Sequence, residues 1–147
     1  YDHKFLILNV KNEGIELNIL KILKKFKIKN YFFLDCTFPS LINLTKKGIK
    51  NIAIRVSDYE SFHTLRNMKY LAKWVWIDCF KNIPLDEKKY KLIKKYKYKI
   101  CLVSPELHRR KIGNRKFLKL VKSQKIKIDM LCTKQDFFEN WKNIFKK

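Results

Sequence analysis

The heptapeptide Phe5-Leu6-Ile7-Leu8-Asn9-Val10-Lys11 decides how the rest of the chain is read. Its apolar opening predicts a strand covered on both faces, as in a parallel sheet. Side chains alternate along a strand, so its polar end places Asn9 and Lys11 on one face at the carboxyl end. The same design of apolar strand, polar tip and helix recurs five more times.

Asn12-Glu13-Gly14 turns the chain into a helix whose inward stripe is Ile15, Ile19, Ile22, Leu23 and Phe26. A strand over Tyr31–Leu34 closes on Asp35, and Pro39 suits the first turn of a helix ending before Gly48. The third strand, Asn51–Val56, carries Arg55 near its tip. Ser57 and Glu60 then have capping-box spacing ahead of a short helix through Leu65 and Met68. Trp74–Ile77 is the fourth strand, with Asp78 at its end. Leu85–Tyr96 reads as a lysine-coated helix turning Tyr90, Ile93 and Tyr96 or Tyr98 inward. The fifth strand, Lys99–Val103, runs into Ser104-Pro105-Glu106-Leu107-His108, and a helix follows over Asn114–Ser123. The sixth strand, Ile126–Leu131, closes at Cys132-Thr133. Lys134–Phe145 is the last helix, with Phe137, Phe138, Trp141 and Phe145 as its apolar positions.

Six strand–helix units with no hairpin signal imply an α/β fold with a parallel sheet and right-handed crossovers. A (β/α)8 TIM-type barrel and an open doubly wound sheet both fit. No Gly-x-Gly-x-x-Gly or P-loop follows any strand, which weakens the dinucleotide and nucleotide-triphosphate versions of the open sheet. A polar group at every tip (Lys11, Asp35, Arg55, Asp78, Ser104, Thr133) favours the rim where barrels keep their sites. The expectation is one partial barrel domain over residues 1–147. About six of eight units are present, numbered three to eight, and two N-terminal units are missing before Tyr1.

The formal net charge is +22, with 35 basic residues of which five are arginine. A nucleic-acid reading has to compete with a bias towards the residues of AT-rich codons. Lysines on predicted helices are expected to form a solvated outer face, with no specific nucleic-acid partner. The cysteines Cys36, Cys79, Cys101 and Cys132 are widely spaced and never form Cys-x-x-Cys. They are expected as buried free thiols of a reducing, cytoplasmic compartment, and a zinc site is disfavoured. No stretch is long and apolar enough to span a membrane.

Leu8-Asn9-Val10-Lys11 resembles the Glu-Ile-Lys strand of the glycerophosphodiester phosphodiesterases, in a divergent bacterial branch carrying Asn for Glu. Phe33-Leu34-Asp35 before Thr37-Phe38-Pro39, Ile54-Arg55-Val56-Ser57 with Tyr59-Glu60, Val103 to His108, and Asp129 to Thr133 also look like this branch. The resemblance covers essentially the whole chain and is specific as an ensemble. It implies a (β/α)8 barrel that hydrolyses glycerophosphodiester-type substrates, often with a divalent metal such as Mg²⁺ or Ca²⁺. The family's His-Arg strand, Glu-x-Asp strand and second His motif are not matched here, and His3 stands in no such motif. The catalytic residues are therefore expected upstream, and the chain alone is expected to be inactive. Lys11 and Arg55 are the candidate phosphate ligands, with a salt bridge to Glu60 as the equal alternative for Arg55; Glu106 and Trp76 are further candidate substrate contacts, against helix-entry capping for Glu106 and a core position for Trp76. His108 stands two residues after Glu106, where helix-entry capping competes with a place at the mouth. Asn9 takes the place of a metal-binding carboxylate, and an amide oxygen brings no negative charge. The alternative is a non-catalytic α/β binding protein, including a basic nucleic-acid-binding one.

Overall fold

Strand and helix alternate through the computed structural model, which describes residues 4–108, 114–123 and 126–145. His3 lies outside the described residues. The elements are β1 (Leu6–Asn9), α1 (Glu16–Lys25), β2 (Tyr31–Leu34), α2 (Phe38–Lys46), β3 (Ala53–Val56), α3 (His63–Asn67) and β4 (Trp74–Ile77). There follow α4 (Glu87–Lys95), β5 (Lys99–Val103), a 3-10 turn over Pro105–His108, α5 (Asn114–Ser123), β6 (Met130–Cys132), a 3-10 turn over Gln135–Phe137, and α6 (Phe138–Phe145).

Every strand pairing is parallel. β1 pairs with β2, and β3 to β6 form a four-stranded sheet in sequence order. A single parallel bridge between Phe33 and Ile52 joins the two sheets. The helices all pack on one face. Leu23, Leu41, Leu44, Leu65, Ile93, Phe117, Val121 and Trp141, from α1 to α6, share a core with Phe33, Ile54, Val75, Ile77 and Ile100. The opposite face is built from the strands, with Phe32, Leu34, Ala53, Trp74, Trp76, Cys101 and Val103 buried against one another. The small Ala53 of β3 leaves room for Phe32 and Trp74 to meet from either side, at 5.0 Å between ring centroids. Phe5 closes on Trp74 edge-on at 5.3 Å. Sequential order with one-sided helices excludes the doubly wound sheet, which needs helices on both faces.

The expectation of a strand buried on both faces fails at β1. Ile7 and Asn9, on the inner face, are exposed. Among the described residues, nothing pairs with the outer edge of β1 or of β6, so the sheet is an open wall and not a closed ring. The stripe of α1 departs in the same way. Leu23 is buried and Ile19 half-buried, but Ile15, Ile22 and Phe26 are exposed on the flank away from α2. β6 starts four residues later than its pattern predicts. Asp129 takes over the start of the ladder, its carboxylate accepting from Ile100 N at 2.8 Å and its own N–H donating to Ile100 O at 3.0 Å. Ile126 and Ile128 are buried on the helix side without strand pairing. The capping-box spacing at Ser57 does not cap a helix: Tyr59 N and Glu60 N donate to Ser57 Oγ at 3.1 Å, Ser57 Oγ donates to Glu60 Oε2 at 2.6 Å, and the motif tightens a loop ahead of α3, which starts only at His63.

Three helices end in the same hydrogen-bonded cap. After α1, Lys27 N donates to Lys24 O and Ile28 N to Leu23 O; after α4, Lys97 N donates to Lys94 O and Tyr98 N to Ile93 O. Gly48 does this after α2. The motif requires a left-handed residue, a conformation that favours glycine. Lys27 and Lys97 adopt it at φ 54° and 60°. Replacing either lysine by glycine is expected to raise unfolding stability by about 0.5–1 kcal/mol, because the strain of a left-handed side chain exceeds the extra backbone entropy lost. Urea denaturation of Lys27→Gly and Lys97→Gly checks this, and a lower midpoint for both contradicts it.

Candidate strand-tip site

Parallel pairing puts the carboxyl ends of all six strands side by side, so residues at matching places in each unit become neighbours. Asp35 and Asp78 each stand one residue beyond a strand, on either side of β3. Arg55 of β3 lies between them, one register step from the tip and paired across with Trp76. Its guanidinium meets Asp35 Oδ1 directly, Asp78 Oδ2 at 3.6 Å and Glu60 Oε1 at 3.8 Å. Lys11 Nζ reaches Asp35 Oδ2 from the β1 side at 3.6 Å, from an exposed position. On the β5 side, His108 Nε2 is held directly by Asp78 Oδ1. A line of alternating charge, Lys11–Asp35–Arg55–Asp78–His108, therefore crosses the tips of β1 to β5.

Asp35 holds its two cations from the left-handed region, at φ 60°. Asp tolerates this conformation better than most residues, and such strain persists where the surroundings over-determine it. Trp76 is buried on the inner face below the line, its indole N–H donating to Asp78 Oδ2 at 3.3 Å. Phe80 lies against the His108 ring at 4.3 Å between centroids and fixes its plane.

A second network ties the tips of β5 and β6 to α6. Glu106 Oε1 accepts from Trp141 Nε1 at 3.1 Å, from Thr133 Oγ1, and from Ser104 Oγ at 2.5 Å. Ser104 Oγ also lies 2.9 Å from Cys132 O, so one hydroxyl hydrogen serves two acceptors. Glu106 Oε2 is buried without a partner among the described residues. Glu106 thus clamps the turn that carries His108.

Of the residues expected at the site, Lys11, Arg55 and Trp76 join the tip line, and Glu106 braces it from below. Asn9 is apart from it, exposed on the inner face of β1. Asp35 and Asp78 were legible only as strand-ending residues, and their positions one past each strand were the signal for a site. Arg55 meets Glu60 as part of a three-carboxylate cradle.

The thiols near the site are held neutral. Burial pushes Cys36 up from the ordinary value of 9 to about 11, with Glu16 and Asp35 adding to it. Cys101 is raised chiefly by burial, and Cys132 by burial with Asp78 and Glu106 behind it. None of the four cysteines is in a disulfide; Cys79 and Cys101 are buried, whereas Cys36 and Cys132 are only half-buried, short of the full burial expected of them. Neutral thiols are poor nucleophiles and poor metal ligands. Among the described residues, no three His, Cys, Asp or Glu side chains converge to hold a metal ion, and the nearest carboxylates are occupied by Arg55, Lys11 and His108. What the line offers is an exposed ammonium, a preorganised guanidinium field and an imidazole oriented by a carboxylate, the pairing used for general acid–base transfer.

Two outcomes are expected. Arg55→Met removes the cation between Asp35 and Asp78, leaving Asp35 to the exposed Lys11 and Asp78 to His108, and is expected to cost about 1–3 kcal/mol. Combining it with Asp78→Asn should cost less than the sum of the two single changes, because they share one network. The raised Cys36 value also fixes the sign of an alkaline effect. Its neutral-thiol stabilisation is complete below the unfolded value near 9 and is lost as pH rises towards 11. Thermal midpoints should fall across that window, less so in Cys36→Ala. No protein family, curated protein or solved structure matches the chain.

Proposed function

We propose that this chain forms the phosphodiester-facing rim of a (β/α)8-type barrel hydrolase acting on glycerophosphodiester-type substrates. The observation that carries the reading is the charged line Lys11–Asp35–Arg55–Asp78–His108 at the carboxyl ends of a singly wound parallel sheet, where barrel enzymes place their chemistry. The stretches that resemble the glycerophosphodiester phosphodiesterases fall on these tips. Among the described residues both edges of the wall are unpaired and α1 exposes Ile15, Ile22 and Phe26, an arrangement that further strand–helix units would complete.

In this reading Lys11 takes a non-bridging phosphate oxygen. Arg55, committed to three carboxylates, keeps Asp35 and Asp78 in place and adds a positive field as charge builds on the phosphoryl oxygens. His108, turned by Asp78 and held by the Glu106 clamp, is the chain's own group for moving a proton to a leaving alkoxide. Trp76 forms the apolar floor. The His-Arg and Glu-x-Asp groups that the resemblance requires lie outside these 147 residues, as would the main ligands of any divalent metal, with Asn9 at most a neutral donor.

The chain alone is therefore expected to bind glycerophosphocholine without hydrolysing it. Calorimetric titration should show that Lys11→Ala weakens binding about tenfold or more, the loss of one charge-assisted contact. Binding indifferent to Lys11, or none, would sink the reading in favour of a different α/β binding role. Metal-dependent release of choline well above a buffer blank would instead show that catalysis resides within these residues.

A further inference from the structure

We propose that the end of the sheet opposite the strand tips is a docking face for an anionic phospholipid bilayer. Charge is segregated along the strand axis. Carboxylates gather at the tips, as Asp35, Asp78 and Glu106, and in the first helical turns, as Glu16, Glu87 and Glu139. Lysines gather at the other end, where four junctions from helix back to strand carry a pair: Lys27 and Lys29, Lys47 and Lys50, Lys69 and Lys73, Lys97 and Lys99. Among the described residues, Asp129 is the carboxylate at that end, and it is paired with Lys94 at 3.2 Å.

All six helices point the same way, so their dipoles favour lysine in each last turn. That accounts for Lys24, Lys25, Lys94 and Lys95 but not for lysines beyond the helix ends. Nor does it account for the apolar groups exposed among them. Phe26 is 65% exposed beside left-handed Lys27. Tyr70 is 53% exposed, is itself left-handed at φ 67°, and is followed by exposed Leu71 between Lys69 and Lys73. Two separate junctions thus spend backbone strain next to a ring held out into solvent.

A bilayer satisfies both kinds of group at once. Its anionic headgroups take the ammonium ions, whose aliphatic stems lie along the interface, and its acyl boundary takes Phe26, Tyr70 and Leu71. The lysines and rings sit on the common end of the wall, where the small concavity lined by Tyr31, Gly48, Ile49, Lys50, Asn51 and Lys73 takes in two of these lysines and neither Phe26 nor Tyr70, too little to track a nucleic-acid backbone. No described helix is long and apolar enough to cross a membrane, so the contact is peripheral.

The test is co-sedimentation of the chain with phosphatidylcholine vesicles, with and without about 30% phosphatidylserine, at about 0.15 M salt and above. Binding is expected with the anionic vesicles alone, and should fall as salt rises. Lys27→Glu with Lys97→Glu, and separately Phe26→Ser with Tyr70→Ser, should each weaken it at least about tenfold. Lys88→Glu with Lys134→Glu makes the same charge change at the tip end and should leave it within about twofold. Circular dichroism confirms that each variant is folded. Absence of binding, equal loss in both charge pairs, or indifference to Phe26 and Tyr70 would overturn the proposal. Duplex DNA that binds more tightly through the same lysines, with no dependence on the two rings, would make the face a polyanion site instead.

Discussion

The guanidinium of Arg55 is the interaction on which the strand-tip end depends. Adjacent strands are only about 4.8 Å apart, so two carboxylates ending β2 and β4 face each other across β3. Whatever β3 presents there has to be cationic, and Arg55 presents a planar fork able to meet several carboxylate oxygens at once. With Lys11 beyond Asp35 and His108 beyond Asp78, opposite charges alternate from strand to strand. No carboxylate in the line is left without a cationic or imidazole partner.

One-sided winding explains the contrast between the two ends of the molecule. With every helix antiparallel to the strand it follows, all first turns lie at the strand tips and all last turns at the opposite end. Acidic residues are stabilised in the former and basic ones in the latter. A strongly basic chain thus carries, across its strand tips, a line in which Asp35 and Asp78 alternate with Lys11, Arg55 and His108. The helical lysines Lys21, Lys24, Lys25, Lys88, Lys91 and Lys95 are exposed, and the helix-to-strand junctions add further lysines at the opposite end.

The inner face answers a different constraint. Short strands of three to five residues offer few positions, and the wall fills them with Phe32, Trp74 and Trp76 packed over Ala53, with Phe5 added from just before β1. These rings seal the lower part of the face. At β1 the seal ends, and Ile7 and Asn9 are open.

The succession of six strand–helix units, the strands β2, β4 and β5, helix α5 and the residue at each strand tip were legible in the sequence by itself. Each follows from local periodicity, capping chemistry and chain reversal, which act within a dozen residues. Lys11, Arg55, Trp76 and Glu106 were visible for the same reason, as side chains at a strand end. Tertiary structure alone decided that Asp35 and Asp78 bracket Arg55, that Glu106 is a buried clamp to Trp141 and Thr133, and that the helices share one face. It also decided that Ile15, Ile22 and Phe26 face outward, because a helical stripe tells how apolar a flank is and not whether a neighbour stands beside it. Those outcomes rest on contacts between residues 20 to 35 positions apart, set by which strands lie side by side, and no local pattern records that order.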